Sequence, residues 1–181
     1  MPGEGGQRDE FEATALPFAR PLYSTALRLT GRAEDALDIV QETFLRAFRT
    51  FHNFRAGTNP KAWLFTILRS VAANRHRDDQ RRPRLVPLDD LDERFAAHAA
   101  SGPPGLELDK GEVERALETL PEEFRIAVLL VDVEELTYEE AAAVLGCPVG
   151  TVRSRLARGR RGLAVALHDY AAQAGYSSRN S

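Results

Sequence analysis

From Tyr138 to Arg161 the chain reads Tyr-Glu-Glu-Ala-Ala-Ala-Val-Leu-Gly-Cys-Pro-Val-Gly-Thr-Val-Arg-Ser-Arg-Leu-Ala-Arg-Gly-Arg-Arg, with no acid after Glu140. Gly146 suits the C-terminal cap of one helix, and Pro148 suits the opening of the next. On a helical wheel Val149, Val152, Leu156 and Leu163 fall on one side, while Thr151, Ser154, Ala157, Arg158 and Arg161 fall on the other. The pattern predicts a helix-turn-helix. Its apolar side would seat on the preceding helix through Tyr138, Ala141, Ala142 and Leu145, leaving guanidinium groups outward for phosphates and guanine edges. The alternative is a solvated surface helix. Against it, arginines 153, 155, 158, 160 and 161 have no interleaved carboxylate, so they gain no support one turn apart and repel each other unless an anion is present.

The formal net charge of −3 over 181 residues hides how the charge is laid out. Residues 13–82 carry twelve Arg or Lys against six Asp or Glu, whereas residues 83–112 carry three against seven. A basic first half, an acidic strip and a basic helix near the end follow. Cys147 has no second cysteine to pair with and reads as a small turn residue. His52, His76, His98 and His168 lack ligand spacing, so neither a metal nor a cofactor is expected. Without an apolar leader or spanning segment, the chain reads as cytoplasmic, nucleoid-associated when bound to its machinery.

Residues 1–12 are Gly-rich and acidic and are expected to be disordered. Helix is predicted from Ala15 to about His76, broken near Gly31 and across Asn53–Pro60. Prolines and glycines between Pro83 and Gly105 mark a linker, within which Leu88 to Ala100 has some helical pattern. A second helical block runs from Glu112 to about Asp169, punctuated at Leu120-Pro121 and Leu136-Thr137, and the tail after Tyr170 reads as frayed. The expected architecture is all-α: two small helical domains, 13–82 and 112–168, joined by a flexible acidic linker at 83–111.

In the first domain, Leu37, Val40, Phe44, Ala47, Phe48 and Phe51 form one apolar stripe. The opposite face carries Asp35, Asp38, Glu42, Arg46 and Arg49 with Ile39 and Leu45, aliphatics framed by charge, as on a docking surface for a basic partner helix. An ordinary solvated face is the plainer reading. The stretch Lys61–Arg77 turns Trp63, Leu64, Ile67, Leu68 and Val71 inward and leaves Lys61, Phe65, Arg69, Ala72, Ala73 and His76 outward. That outward face suits single-stranded nucleic acid, with bases stacking on Phe65 and cations following the backbone. The loop from Phe54 to Pro60, which includes Asn59, is short and rich in Gly, Asn and Pro, and offers a pocket for an extruded base.

Four blocks, Asp38–Ala47, Lys61–Leu68, Leu120–Arg125 and Cys147–Leu156, resemble in sequence and order the motifs of bacterial extracytoplasmic-function sigma factors, the compact two-domain group of the sigma-70 family. The resemblance covers about four-fifths of the chain. It implies that residues 13–82 bind core RNA polymerase and the promoter's minus-ten element, and that 112–168 bind the minus-thirty-five element. It also implies a linker threading toward the RNA exit path. Asp35, Asp38, Gln41, Glu42 and Arg46 correspond to the family's contact with the coiled coil of the polymerase's large subunit. Arg153, Ser154, Ala157 and Arg158 match positions facing the upstream element. The loop Gly57–Trp63 resembles the thiol-oxidative-stress branch, whose members are held by zinc-containing anti-sigma proteins, although Ser70-Val71 departs from that branch's Asn-Thr.

The function implied is promoter-directed initiation, assisted melting and stress-responsive control by an anti-sigma factor, with no catalysis. A stand-alone regulator using only the C-terminal helix-turn-helix is the runner-up, but it leaves the basic-aromatic face of the first domain without a role. An enzyme ranks third, since neither a phosphate loop nor a nucleophile elbow is present, and Asp89–Glu93 lacks the Gly and spacing of a calcium loop.

Overall fold

The computed structural model describes residues 4–55, 57–79 and 110–173, whose regular elements are all helices or helical turns, with no strand among them. The chain divides into two compact units. The first holds α1 (Glu4–Ala15), a 3-10 turn (Leu16–Phe18), α2 (Ala19–Thr30), α3 (Ala33–Thr50), a second 3-10 turn (Phe51–Asn53) and α4 (Pro60–Asp79). The other holds α5 (Lys110–Glu118), α6 (Glu122–Val128), a π turn (Leu129–Val133), the start of α7 (Tyr138–Leu145) and α8 (Val149–Gln173).

Of residues 1–12, expected to be disordered, 1–3 lie outside the described residues and 4–12 are part of α1. One aromatic accounts for this. Phe11 is buried and meets Phe44, Phe48 and Phe51 edge to face, with centroids 6.5, 5.2 and 5.4 Å apart. Aromatic pairs in this arrangement contribute about 0.5–1.5 kcal/mol each beyond area burial. A short Gly-containing helix is marginal alone and is held here by packing.

The break near Gly31 is a left-handed cap: Gly31 sits at φ 69° and its N–H donates to Leu27 O at 2.8 Å. In α3 the buried residues are Ala36, Ile39, Val40, Thr43 and Ala47. The apolar stripe is therefore rotated from the expected one. Ile39, placed outward by sequence, is 2% exposed, whereas Leu37 and Phe48, placed inward, are 36% and 41% exposed. Thr43 makes the rotation possible, because its hydroxyl donates to Ile39 O at 2.7 Å and so enters the core satisfied.

In α4, Leu64, Phe65, Leu68 and Val71 are buried, with Trp63 and Ile67 half-buried. Phe65, expected outward, is 1% exposed and among the largest fully buried side chains. Two adjacent apolar residues both find cover because α4 packs against α1, α2 and α3 rather than a single neighbour.

In the second unit α8 lies chiefly against α6 and α5. Val152 and Leu156 are fully buried, as expected, and Val149 and Leu163 half-buried. The close approach is a glycine effect: a Cβ on Gly159 would lie 2.6 Å from Val128 Cγ2 and 3.0 Å from Phe124 O, and one on Gly162 would lie 2.5 Å from Leu120 Cδ2. The π turn leads to Glu135, a non-glycine residue at φ 56°. Glu134 N–H donates to Leu129 O and Leu136 N–H to Leu130 O, closing that wide turn. A reciprocal capping box starts α7: Thr137 N–H donates to Glu140 Oε2 at 2.9 Å, and Glu140 N–H to Thr137 Oγ1 at 3.2 Å. Gly146 ends that helix at φ 60°, with Cys147 N–H donating to Ala142 O.

Lys110 and Gly111 open α5, and the rest of the expected linker, with the 88–100 helical pattern and the Asp89–Glu93 run, lies outside the described residues. At the other end α8 continues to Gln173, beyond the expected fraying at Tyr170, and 174–181 lie outside the described residues.

Candidate nucleic-acid and partner interfaces

The charged face of α3 is built as a ladder. Arg75 of α4 donates through Nη2 to Asp38 Oδ2 at 2.6 Å and lies 3.5 Å from Asp35 Oδ1, while Arg32 Nε lies 3.5 Å from Asp35 Oδ2. One turn further, Arg46 Nε donates to Glu42 Oε1 at 2.6 Å. Both oxygens of Asp35 thus face internal cations, whereas Asp38, 54% exposed, keeps Oδ1 without a partner among the described residues. Asp38, Gln41, Glu42, Leu45, Arg46, Val71, Asn74 and Arg75 line an open groove between α3 and α4. Leu45, 52% exposed, stands at its edge. The five expected docking residues therefore share one face, but the aliphatic offered there is Leu45 without Ile39. Sequence did not show that Asn74 and Arg75 form the second wall.

The loop before α4 is pinned at both ends. Phe54 packs on Trp63 at 5.0 Å between centroids and stacks on Phe51 at 5.8 Å. Arg55 O accepts from Thr58 N–H at 3.1 Å and Thr58 Oγ1 at 2.6 Å, across Gly57 at φ 93°. Asn59 caps α4, its Oδ1 accepting from Lys61 N–H at 3.0 Å. Arg55, Gly57, Thr58 and Asn59 are exposed, Lys61 and Arg69 half-buried. His76 lies in α4, and its side chain is outside what is described. The geometry removes Phe65 from this surface, since a ring sealed in the core presents no face to a base.

On α8, Arg153, Ser154, Ala157, Arg158 and Arg161 are exposed and Thr151 half-buried. The arginines are not equivalent. Arg160 Nε and Nη2 donate to the two oxygens of Asp132 at 3.0 and 2.6 Å, and this hydrogen bond holds the guanidinium above its ordinary pKa. Arg155 lies 3.3 Å from Glu123 and 3.9 Å from Cys147 Sγ. Arg153 sits over the Tyr138 ring at 5.5 Å and Arg158 over the Phe124 ring at 5.8 Å. The mutual repulsion expected of five neighbouring arginines is relieved partly by carboxylates from earlier helices. Among the described residues no three His, Cys, Asp or Glu gather as a metal site.

Residues 16–82 match sigma-70 region 2 and residues 110–163 match sigma-70 region 4. The extracytoplasmic-function (ECF) RNA polymerase sigma factor EcfG of Rhodopseudomonas palustris strain TIE-1 is 40% identical over 169 residues, spanning 93% of this chain and 88% of that protein. The chain is an ECF sigma factor. ECF sigma factors are non-enzymatic initiation factors that direct RNA polymerase to promoters, and a stand-alone regulator is set aside by the region 2 match. SigE of Mycolicibacterium smegmatis is 37% identical over 94% of this chain, which spans 65% of that longer protein. The sigma-E factor of Escherichia coli K12 is 37% identical over 87% of the chain and 86% of the relative. Two solved structures share the fold: RpoE in complex with the anti-sigma factor NepR from Bartonella quintana, with a TM-score of 0.71, 29% identity and 88% and 97% coverage, and CnrH in complex with the cytosolic domain of CnrY, with a TM-score of 0.64, 27% identity and 91% and 92% coverage. No described helix of this sigma factor is long and apolar enough to cross a membrane.

Proposed function

We propose that the two units divide promoter recognition between them. Residues 13–82 take core polymerase on the α3–α4 groove and the minus-ten strand on the loop and basic face beside it, while 112–168 take the minus-thirty-five duplex on α8. Asp38, Gln41, Glu42 and Arg46 meet the polymerase directly, with Asp35 tied into the ladder behind them. Asn59, Lys61, Arg69 and His76 mark the minus-ten side. With Phe65 in the core, base capture falls to the loop from Phe54 to Pro60, of which Arg55, Gly57, Thr58 and Asn59 are exposed. Thr151, Arg153, Ser154, Ala157, Arg158 and Arg161 mark the upstream side.

The observation that carries this reading is the sidedness of α8: Val152 and Leu156 are sealed on one face while Arg153, Arg158 and Arg161 stand exposed on the other. The factor works in the cytoplasm, on the nucleoid when in holoenzyme, under an anti-sigma protein; the relatives solved with NepR and CnrY support such a partner. A stress-response role follows from that control. A zinc-containing anti-sigma partner rests on the resemblance of loop 57–63 alone.

The test mixes the full chain with core polymerase and duplexes randomised across both promoter elements, then sequences the run-off transcripts. Chain-dependent enrichment of two separated elements is the expected result. Transcripts that start alike with and without the chain would overturn the assignment.

A further inference from the structure

We infer that the arginines of α8 fall into two chemical classes, and that Phe124 and Tyr138 are positioning residues that aim the reading class at DNA. The inference rests on the upstream-recognition reading above and deepens it.

A guanidinium has its N–H donors in its own plane and a π face above and below. A salt bridge consumes in-plane donors and neutralises the charge. Stacking on a ring uses only the face and leaves those donors free for guanine O6 and N7 or for phosphate. Arg160 gives Nε and Nη2 to Asp132, and Arg155 is turned to Glu123 and the Cys147 sulfur. Those two tie α8 to the preceding helices and are poorly placed to read bases.

Arg153 and Arg158 have no hydrogen bond or ion pair with a described residue, and each lies over a ring from an earlier element. The shelves come from separate places, Phe124 in α6 and Tyr138 at the first turn of α7. Each restricts a long side chain that would otherwise have to be ordered on binding, and ordering such a side chain weakens binding. Arg161 has neither shelf nor carboxylate among the described residues, which leaves it suited to phosphate without base choice.

The test uses the full chain in holoenzyme on the randomised duplexes, comparing base preference position by position. Arg158→Ala should flatten preference at one or two positions. Phe124→Leu should flatten those same positions, with a loss of about two- to five-fold on the favoured sequence, the span expected from an exposed cation–π contact. Phe124→Tyr should retain the preference, and Phe124→Leu should add nothing in the Arg158→Ala background. Arg155→Gln should lower the melting temperature and leave the preference as it is; Arg160, which also hydrogen-bonds Tyr138, is not used as this control.

If Arg158→Ala changes the preference and Phe124→Leu does not, the shelf is overturned and the recognition reading stands. Loss that is uniform across sequences, with a lowered melting temperature in Phe124→Leu, makes the ring structural and overturns the shelf equally. A preference changed by Arg155→Gln overturns the sorting. If neither Arg153→Ala nor Arg158→Ala alters selection, the recognition reading itself fails and takes the shelf with it.

Discussion

Arg75 and Asp38, 37 residues apart in sequence, meet at 2.6 Å on the face proposed for polymerase docking. Replacing Asp38 alone therefore disturbs an internal pair as well as an external surface, and the two effects need separating. Both side chains are well exposed, so the pair contributes at most about 1 kcal/mol to stability.

A charge swap separates them. Asp38→Lys with Arg75→Glu should restore the 38–75 bridge, lowering the melting temperature only by what the new carboxylate beside Asp35 costs, yet lose in competition for core polymerase by more than Arg75→Glu alone. Competition at the wild-type concentration would mean that the carboxylate serves only the fold.

Phe65→Ala should cost roughly 3–5 kcal/mol, because the ring is removed from a site with 1% exposure. Core binding, promoter binding and opening should decline together as the folded fraction falls. Calorimetry beside permanganate footprinting on a pre-melted promoter bubble checks this. A mutant with native melting and a defect confined to opening would return Phe65 to the strand-capture surface.

Alanine at three glycines of α8 should give a graded series. Gly150, with nothing within 4 Å of a built Cβ, should gain about 0.5–1 kcal/mol in a helical position. Gly162 meets only the end of the Leu120 side chain and should lose modestly, whereas Gly159 meets the Phe124 carbonyl and should lose most. Thermal melts of the three full-length variants decide the order.

Glu135 holds a left-handed conformation that disfavours a Cβ by about 1–2 kcal/mol. Glu135→Gly should raise the melting temperature, less the extra chain entropy that glycine brings to the unfolded state. A fall would show that the carboxylate makes a compensating interaction.

The helix-turn-helix was legible because its punctuation is local: Gly146, Pro148 and the spacing of Val152 and Leu156 each act within one turn of chain. The stripe of α3 was not, because Thr43 counts as polar in sequence and only the bond to Ile39 O lets it into the core. Phe11 could not announce α1 alone, since its worth depends on three rings from α3 and the turn that follows it. Phe65 was misplaced because a wheel knows one helix and not how many neighbours surround it. The partners of Arg155 and Arg160 lie 32 and 28 residues back, beyond any periodicity. Nothing local marks Gly159 and Gly162 as contact positions, since the side chains they make room for, Val128 and Leu120, belong to earlier parts of the chain.

Those two glycines have a corollary for specificity. They fix how deeply α8 beds against its neighbours, while Ser154 and Ala157 stand exposed on the helix. Under the proposed upstream-recognition role, substitution at 154 or 157 changes base preference while the seating of the helix is undisturbed. A side chain at 159 would press on Val128 and the Phe124 carbonyl and so act on the seating itself. Under that role, promoter choice can change at exposed positions within a helix seating that the two glycines hold fixed.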